Sequence, residues 1–389
     1  MDPNPYSKEL ATAIRTVRRA AHISRTVLSQ ANRAGADSSD STLIKGDLSP
    51  VTVADFAIQA LLTATLGAAF PGDGFIGEES ADDLRENPAL LQRVLDVLNL
   101  CVPRRASNET EEWTAEDVCA KIDSCATITS LGPSSGRVWI FDPIDGTKTF
   151  IRGQQYAINA ALVENGRQVL GVVGLPLLDM DASGPVSDAD VDPTGRGSIM
   201  FAVRGHGSYV LPLLAGGASP GSNDDDNDDG DGPSAEPQEI LSGARRLPRT
   251  DPAAALKSST CWRSLDSGVA PVHSTVAEKL SAEFPGCDLL GWVPRWAVLA
   301  LGLANTTVWV YRDRGRRAKI WDHAGAMLLF EEAGGEITDV HGKPIDLSQG
   351  RLLKANFGFV ASPGGESHAR VLKAVHETLR EQGKEELLV

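Results

Sequence analysis

Four short stretches of the chain carry side chains that can do chemistry together. The densest is Trp139-Ile140-Phe141-Asp142-Pro143-Ile144-Asp145-Gly146-Thr147-Lys148. An apolar run delivers two carboxylates into a tight turn. Pro143 fixes φ, so the carbonyl that follows is held rigidly. Gly146 lets the chain reverse, and free backbone N–H groups open the next helix. Two carboxylates and a carbonyl are hard oxygen ligands, suited to Mg²⁺. N–H groups at a helix start suit a phosphate. One loop therefore offers places for both a metal ion and a substrate anion. The plainer reading is a capped turn with solvated aspartates. Against it, two carboxylates so close behind a buried strand repel each other unless a cation neutralises them, and clustered carboxylates are expensive to bury.

The other three stretches are weaker alone. Gly77-Glu78-Glu79-Ser80 follows the apolar Phe75-Ile76, though a Glu-Glu pair is ordinarily a solvated surface feature. Ile320-Trp321-Asp322-His323-Ala324-Gly325 puts Asp322 where a helix begins, and capping alone explains an Asp there. Ser49-Pro50-Val51-Thr52-Val53-Ala54-Asp55 puts Asp55 in the first turn of an otherwise apolar helix, where the helix dipole also favours it.

These residues need elements behind them. Leu10, Ile14, Val17, Ala21 and Val27-Leu28 have helical spacing from about residue 7 to 34, broken at Gly35. A second helix follows Thr52 and stops at Pro71-Gly72. Residues 107–130 fit no strong pattern and read as a polar loop or short helix. Arg137 to Phe141 reads as a buried strand. Ala157–Val163 and Val169–Leu175 read as a hairpin around Asn165-Gly166. Ser198–Val203 and Ser208–Leu211 read as another, turning at Gly205-His206-Gly207. Later come a strand over 305–311, a helix over 322–333 ended by Gly334-Gly335, a short strand over 357–361 and a closing helix over 366–382. Hairpins early and alternation late predict an α+β part followed by an α/β part.

The four pieces together resemble the inositol monophosphatase superfamily, the lithium-sensitive Mg²⁺-dependent phosphatases. Its Asp-Pro-Ile/Leu-Asp-Gly-Thr motif stands at Asp142–Thr147, its Gly-Glu-Glu at Gly77–Glu79, and its Trp-Asp-x-Ala-Ala/Gly at Trp321–Gly325, followed by Glu332-Ala333-Gly334-Gly335. Order and spacing fit over nearly the whole chain. Ser49–Asp55, Glu78–Ala81, Asp145–Lys148 with Phe150–Gly153, and Lys319–His323 are most similar to the bisphosphate nucleotidase branch. The resemblance implies a layered αβαβα sandwich and removal of the 3′- or 2′-phosphate of 3′-phosphoadenosine 5′-phosphate. It implies two or three Mg²⁺ ions. Glu78, Asp142, Asp145 and the Ile144 carbonyl would bind the first pair, and Asp322 would complete the second site. Asp55 and Thr147 would orient and deprotonate the attacking water. A two-metal clamp would neutralise nucleophile and leaving oxygen. The Gly146 and Thr147 N–H groups would hold phosphate oxygens, with His273, Arg295, Arg312 and Lys319 as further phosphate- or substrate-binding residues.

The chain departs from that branch in the pocket. Where the nucleotidases present Asp-Ser-x-x-Lys-Tyr, it has Gly291-Trp292-Val293-Pro294-Arg295-Trp296. Ala318 replaces a Glu, and a His-Ser-Ser-His segment is shortened around Val272-His273-Ser274. Trp292 and Trp296 suit either a stacked base or core packing. The metal machinery is kept and the pocket altered, which predicts a weakened or shifted nucleotide preference. The rivals are an inositol phosphate phosphatase with the same metals, and a non-catalytic metal- or phosphate-binding relative.

Length and composition set the remaining bounds. A chain of 389 residues suits two domains or one domain with insertions. We place the α+β part at residues 1–215, a disordered acidic insert at 216–238 and the α/β part at 239–389. The insert holds Asp224, Asp225, Asp226, Asp228, Asp229 and Asp231 and cannot bury enough apolar surface to order its backbone. A net charge of −15 argues against nucleic-acid polymers as partners, and no apolar run is long enough to span a membrane. A small phosphate ester is the expected partner, and the oligomeric state is left open. Five irregularly spaced cysteines read as free thiols. With no secretory signal at the N-terminus, that points to the cytoplasm.

Overall fold

A computed structural model of the protein describes residues 4–33, 42–44, 50–102, 104–106, 109–132, 135–214, 243–262 and 268–388. The acidic insert and Ser49 lie outside the described residues.

The helices are α1 Ser7–Arg33, α2 Val53–Ala69, α3 Asp82–Glu86, α4 Pro88–Cys101, α5 Ala115–Asp123, α6 Thr147–Phe150, α7 Ala270–Lys279, α8 Trp292–Leu301, α9 Ala324–Glu332 and α10 Gly365–Glu381. The strands are β1 Thr42–Ile44, β2 Pro50–Thr52, β3 Gly74–Gly77, β4 Arg104–Ala106, β5 Glu109–Glu111, β6 Arg137–Asp145, β7 Ala157–Glu164, β8 Arg167–Leu175, β9 Ser198–Val203, β10 Gly207–Pro212, β11 Arg245–Arg246, β12 Lys257–Thr260, β13 Glu283–Asp288, β14 Thr307–Trp309, β15 Glu336–Thr338 and β16 Phe359–Ser362.

The main sheet has seven strands in the order β11-β10-β9-β8-β7-β6-β3. Both faces of its central strands β7, β8 and β9 are buried, so these strands read as nearly continuous apolar runs. The two-residue period still sorts them. Trp139 and Phe141 of β6 face α1 and α2, whereas Val138 and Ile140 face the opposite layer. Burying each such large apolar side chain contributes about 1.5–3 kcal/mol. The β7–β8 hairpin turns at Asn165-Gly166, both with positive φ, the backbone that a two-residue hairpin turn requires.

Beyond the sheet come α8 and α9, then the small sheets β12-β13 and β14-β16-β15, then α7 and α10. The layers are therefore αβαβα, as expected. One apolar cluster joins residues from before position 215 to residues after position 242. The stretch 107–130 contains α5, started by a capping box between Thr114 and Asp117. The late helix starts at Ala324, two residues beyond the expected start. Ile320–Asp322 is instead a 3₁₀ turn in front of it. No helix among the described residues is long and apolar enough to cross a membrane.

Candidate metal and phosphate site

The site begins with strand register. β3 and β6 pair in parallel, with Gly77 opposite Phe141. The next residues are Glu78, just past β3, and Asp142, still paired with Asn159 in β6, so two carboxylates follow neighbouring positions of the parallel pair. Helix α2 fixes the Glu78 turn. Buried Gln59 donates from Nε2 to the Glu79 carbonyl (3.0 Å), and its Oε1 accepts from the Glu79 N–H (2.9 Å). A Cβ at Gly77 would lie 2.6 Å from Gln59 Oε1, so only glycine admits this clasp. Asp55 stands four residues before Gln59, on the same face of α2, and is also buried. One helix face thus carries a candidate base and the residue that sets a candidate ligand.

A bulge aims the aspartates of β6. Three residues apart, Asp142 and Asp145 would point to opposite faces of a regular strand. Here Asp142 pairs with Asn159 and Asp145 with Ala157, so β6 holds one extra residue and both carboxylates reach the same side. Gly146 then turns the chain at φ 91°, where any side chain is strained and a Cβ would meet Thr149 Oγ1 at 2.7 Å. Thr147 Oγ1 donates to the Ile144 carbonyl (3.2 Å).

The third aspartate arrives from far along the chain. Asn159 Nδ2 donates to the Trp321 carbonyl (2.6 Å), and Gln168 Nε2 to that of Ala324 (2.7 Å). These bonds tie the start of α9 to the sheet. Close approach needs glycine on both sides: a Cβ on Gly171 would lie 3.1 Å from Gly325 Cα, and one on Gly325 2.9 Å from the Ala160 carbonyl. One carboxylate oxygen from each of Asp142, Asp145 and Asp322 lies within 4.8 Å of the other two.

Burial raises the Asp142 carboxyl well above its usual range, reinforced by the charges of Glu78, Asp145, Asp322 and Asp55. Asp322 is raised for the same two reasons and hydrogen-bonds to Asp142. Burial brings Asp145 up to about 7, against the pull of backbone N–H groups and Arg295. Asp142 Oδ1 is buried without a hydrogen-bond partner among the described residues. Crowded, desolvated carboxylates with an oxygen left over fit a hard divalent cation. The cations already present stand at the rim. Lys319 Nζ is 3.1 Å from Glu78 Oε1, and Arg351 donates to the Glu78 carbonyl (3.3 Å) while packing on Trp321.

Of the remaining substrate candidates, His273 and Arg295 are buried together against Trp309, and Arg312 is on the surface. Arg312 is exposed and donates to the Gly268 carbonyl (2.7 Å). His273 is buried, and its Nε2 accepts from the Val310 N–H (3.0 Å). Burial and Arg295 lower its pKa to about 3, so it is neutral. Arg295 is only 2% exposed. Its guanidinium lies 3.6 Å from the Trp292 ring centroid and 4.6 Å from that of Trp309. Trp292 packs on Trp296, Trp309, His323 and Phe359, which is core packing.

Gln59, Asn159 and Arg351 are missing from the sequence reading. The first two left a signal: each is a polar residue inside an apolar run on an element next to a motif. Arg351 left none.

The comparisons with known proteins bear on the family and the fold. The model of the inositol monophosphatase family matches residues 6–213 and 287–380. The chain is 33% identical to the 3′(2′),5′-bisphosphate nucleotidase of Schizosaccharomyces pombe, covering 92% of this chain and 93% of the relative. It is 30% identical to the enzyme of that name from Emericella nidulans, covering 96% and 99%. Among solved structures, a Thermotoga maritima IMPase superposes with a TM-score of 0.55 at 19% identity, covering 96% of this chain and 99% of that one. CysQ from Bacteroides thetaiotaomicron superposes at 0.54 and 16%, covering 93% and 99%. Motif order, the layered fold and these matches together show that the chain belongs to the inositol monophosphatase family.

Proposed function

We propose that the protein is a Mg²⁺-dependent phosphomonoesterase that removes the 3′- or 2′-phosphate from a nucleoside bisphosphate such as 3′-phosphoadenosine 5′-phosphate. The observation that carries this is the cluster of Asp142, Asp145 and Asp322, one ligand oxygen of each within 4.8 Å of the others, with the charges of Glu78 and Asp55 also acting on Asp142. The names of the relatives supply the substrate class.

Glu78, Asp142, Asp145, Asp322 and the Ile144 carbonyl would hold the ions. When bound, Mg²⁺ supplies charge neutralisation and a more acidic water. The chain's own residues do the rest. Asp55, buried in the first turn of α2, accepts a proton from the attacking water. Thr147 Oγ1, tied to the Ile144 carbonyl, orients that water. The N–H groups of Gly146 and Thr147 meet phosphate oxygens at the start of α6. Lys319, half-buried, and Arg312, exposed, would meet a second anionic group. His273 and Arg295 lie behind this surface.

Phosphate release with Mg²⁺ tests the substrate, comparing 3′-phosphoadenosine 5′-phosphate with inositol mono- and bisphosphates. A clear preference for the nucleotide bears the proposal out. A preference for an inositol phosphate keeps the metal chemistry and replaces the substrate. No phosphate release from any ester overturns the proposal.

A further inference from the structure

We infer that Arg295 is a positioning residue for the metal centre, acting through the first turn of α8 on Asp145. The inference rests on the metal-dependent reading above.

The argument starts at the helix terminus. The first N–H groups of a helix lack intrahelical partners. In α8 that of Val293 is satisfied by Asp145, with Val293 N 2.6 Å from Oδ2. Pro294, next in line, has no N–H to place. One oxygen of Asp145 is therefore pinned by the helix, which fixes where the other points. The contact is tight: a Cβ on Gly291 would lie 2.6 Å from Asp145 Oδ2.

That turn needs its own support, and Arg295 provides it. Nε donates to the Gly291 carbonyl (3.2 Å) and Nη2 to the Leu290 carbonyl (3.1 Å). The guanidinium plane packs on Trp292 and Trp309. The Leu290 N–H is held from the other side by Asp188 Oδ1 (3.0 Å). A planar fork that reaches two carbonyls while stacking is a task for Arg, which Lys cannot reproduce. Outer-shell partners of this kind typically change metal affinity by about 10- to 100-fold. Nη1 is buried with no hydrogen-bond partner among the described residues, so a direct substrate contact through it is the competing role.

The test is Mn²⁺ binding to the full chain, read by electron paramagnetic resonance, beside KM and kcat for phosphate release. We expect Arg295→Lys and Arg295→Met to weaken Mn²⁺ binding by about 10- to 100-fold, with a higher Mg²⁺ requirement for turnover. A raised KM with unchanged Mn²⁺ affinity makes Arg295 a substrate contact and overturns the inference. A lowered melting temperature with both constants unchanged makes it structural and also overturns it. Should those variants not fold, Gly291→Ala reads the same link by crowding Asp145, and unchanged Mn²⁺ affinity there counts against it. Wild-type protein that binds no Mn²⁺ instead sinks the metal-dependent reading itself.

Discussion

The end of β6 and the start of α8 meet at Asp145, and they treat charge in opposite ways. On the β6 side, aspartates are gathered in one buried cluster, and Asp142 keeps a buried oxygen without a hydrogen-bond partner among the described residues. On the α8 side, one cation is buried and packed on tryptophans, and its Nε and Nη2 are committed to backbone carbonyls. The first arrangement is costly by itself and makes sense with a cation to receive. The second is internally supported and makes sense as scaffold. A site for a metal and a wall for that site differ in this way: one gathers like charges around a place for a cation, the other spreads a buried cation over backbone carbonyls and ring faces.

Substitutions on the carboxylate side sharpen the comparison. Asp142→Asn should give the largest effect, a loss of kcat of roughly 10³-fold or more, since a bound ion supplies several kcal/mol. The metal-free protein should at the same time melt higher, because a crowded like charge is gone. Parallel activity assays and melting curves check both, and lower metal-free stability contradicts the account. Asp55→Asn should lower kcat by about 10²- to 10⁴-fold, the usual range for a general base, with Mn²⁺ binding largely kept. Gln59→Leu should weaken metal binding by about 10- to 100-fold by freeing the Glu78 turn, measured by calorimetric titration.

The smallest effect is in pH. Asp145 sits near 7 in the fold against an ordinary 3.8. Its protonated form is therefore favoured in the folded, metal-free state, and that stability is lost as pH rises from about 4 through about 7. Metal and proton compete for the same oxygens. The rise in melting temperature caused by Mg²⁺ should thus grow between pH 5 and 8. The neutral, buried His273 is common to both states and cancels in that difference. A shift that stays flat over this range breaks the comparison.

Much of this was legible in the sequence because the acidic motifs sit where elements change. Asp142–Thr147 could be read as strand, turn and helix start, and Asn165-Gly166 as a hairpin. Positions along the chain did not reveal the β6 bulge, which alone lets two aspartates three residues apart share a side. Nor did they reveal the Gln59 clasp, since its partner is a backbone twenty residues away. The pocket was hardest to read. Arg295 and His273 have the residue types of substrate ligands, and only packing shows that both are buried behind the surface. The helix expected from 322 begins at Ala324, because Asp322 is aimed at Asp142 by the preceding turn and does not cap the helix.

Phosphate release from 3′-phosphoadenosine 5′-phosphate by the purified protein, with Mg²⁺ and then with the metal chelated, tests the central claim most directly. The account predicts turnover with Mg²⁺ that falls to background on chelation and returns when the ion is restored. Turnover that persists without any divalent ion would contradict it.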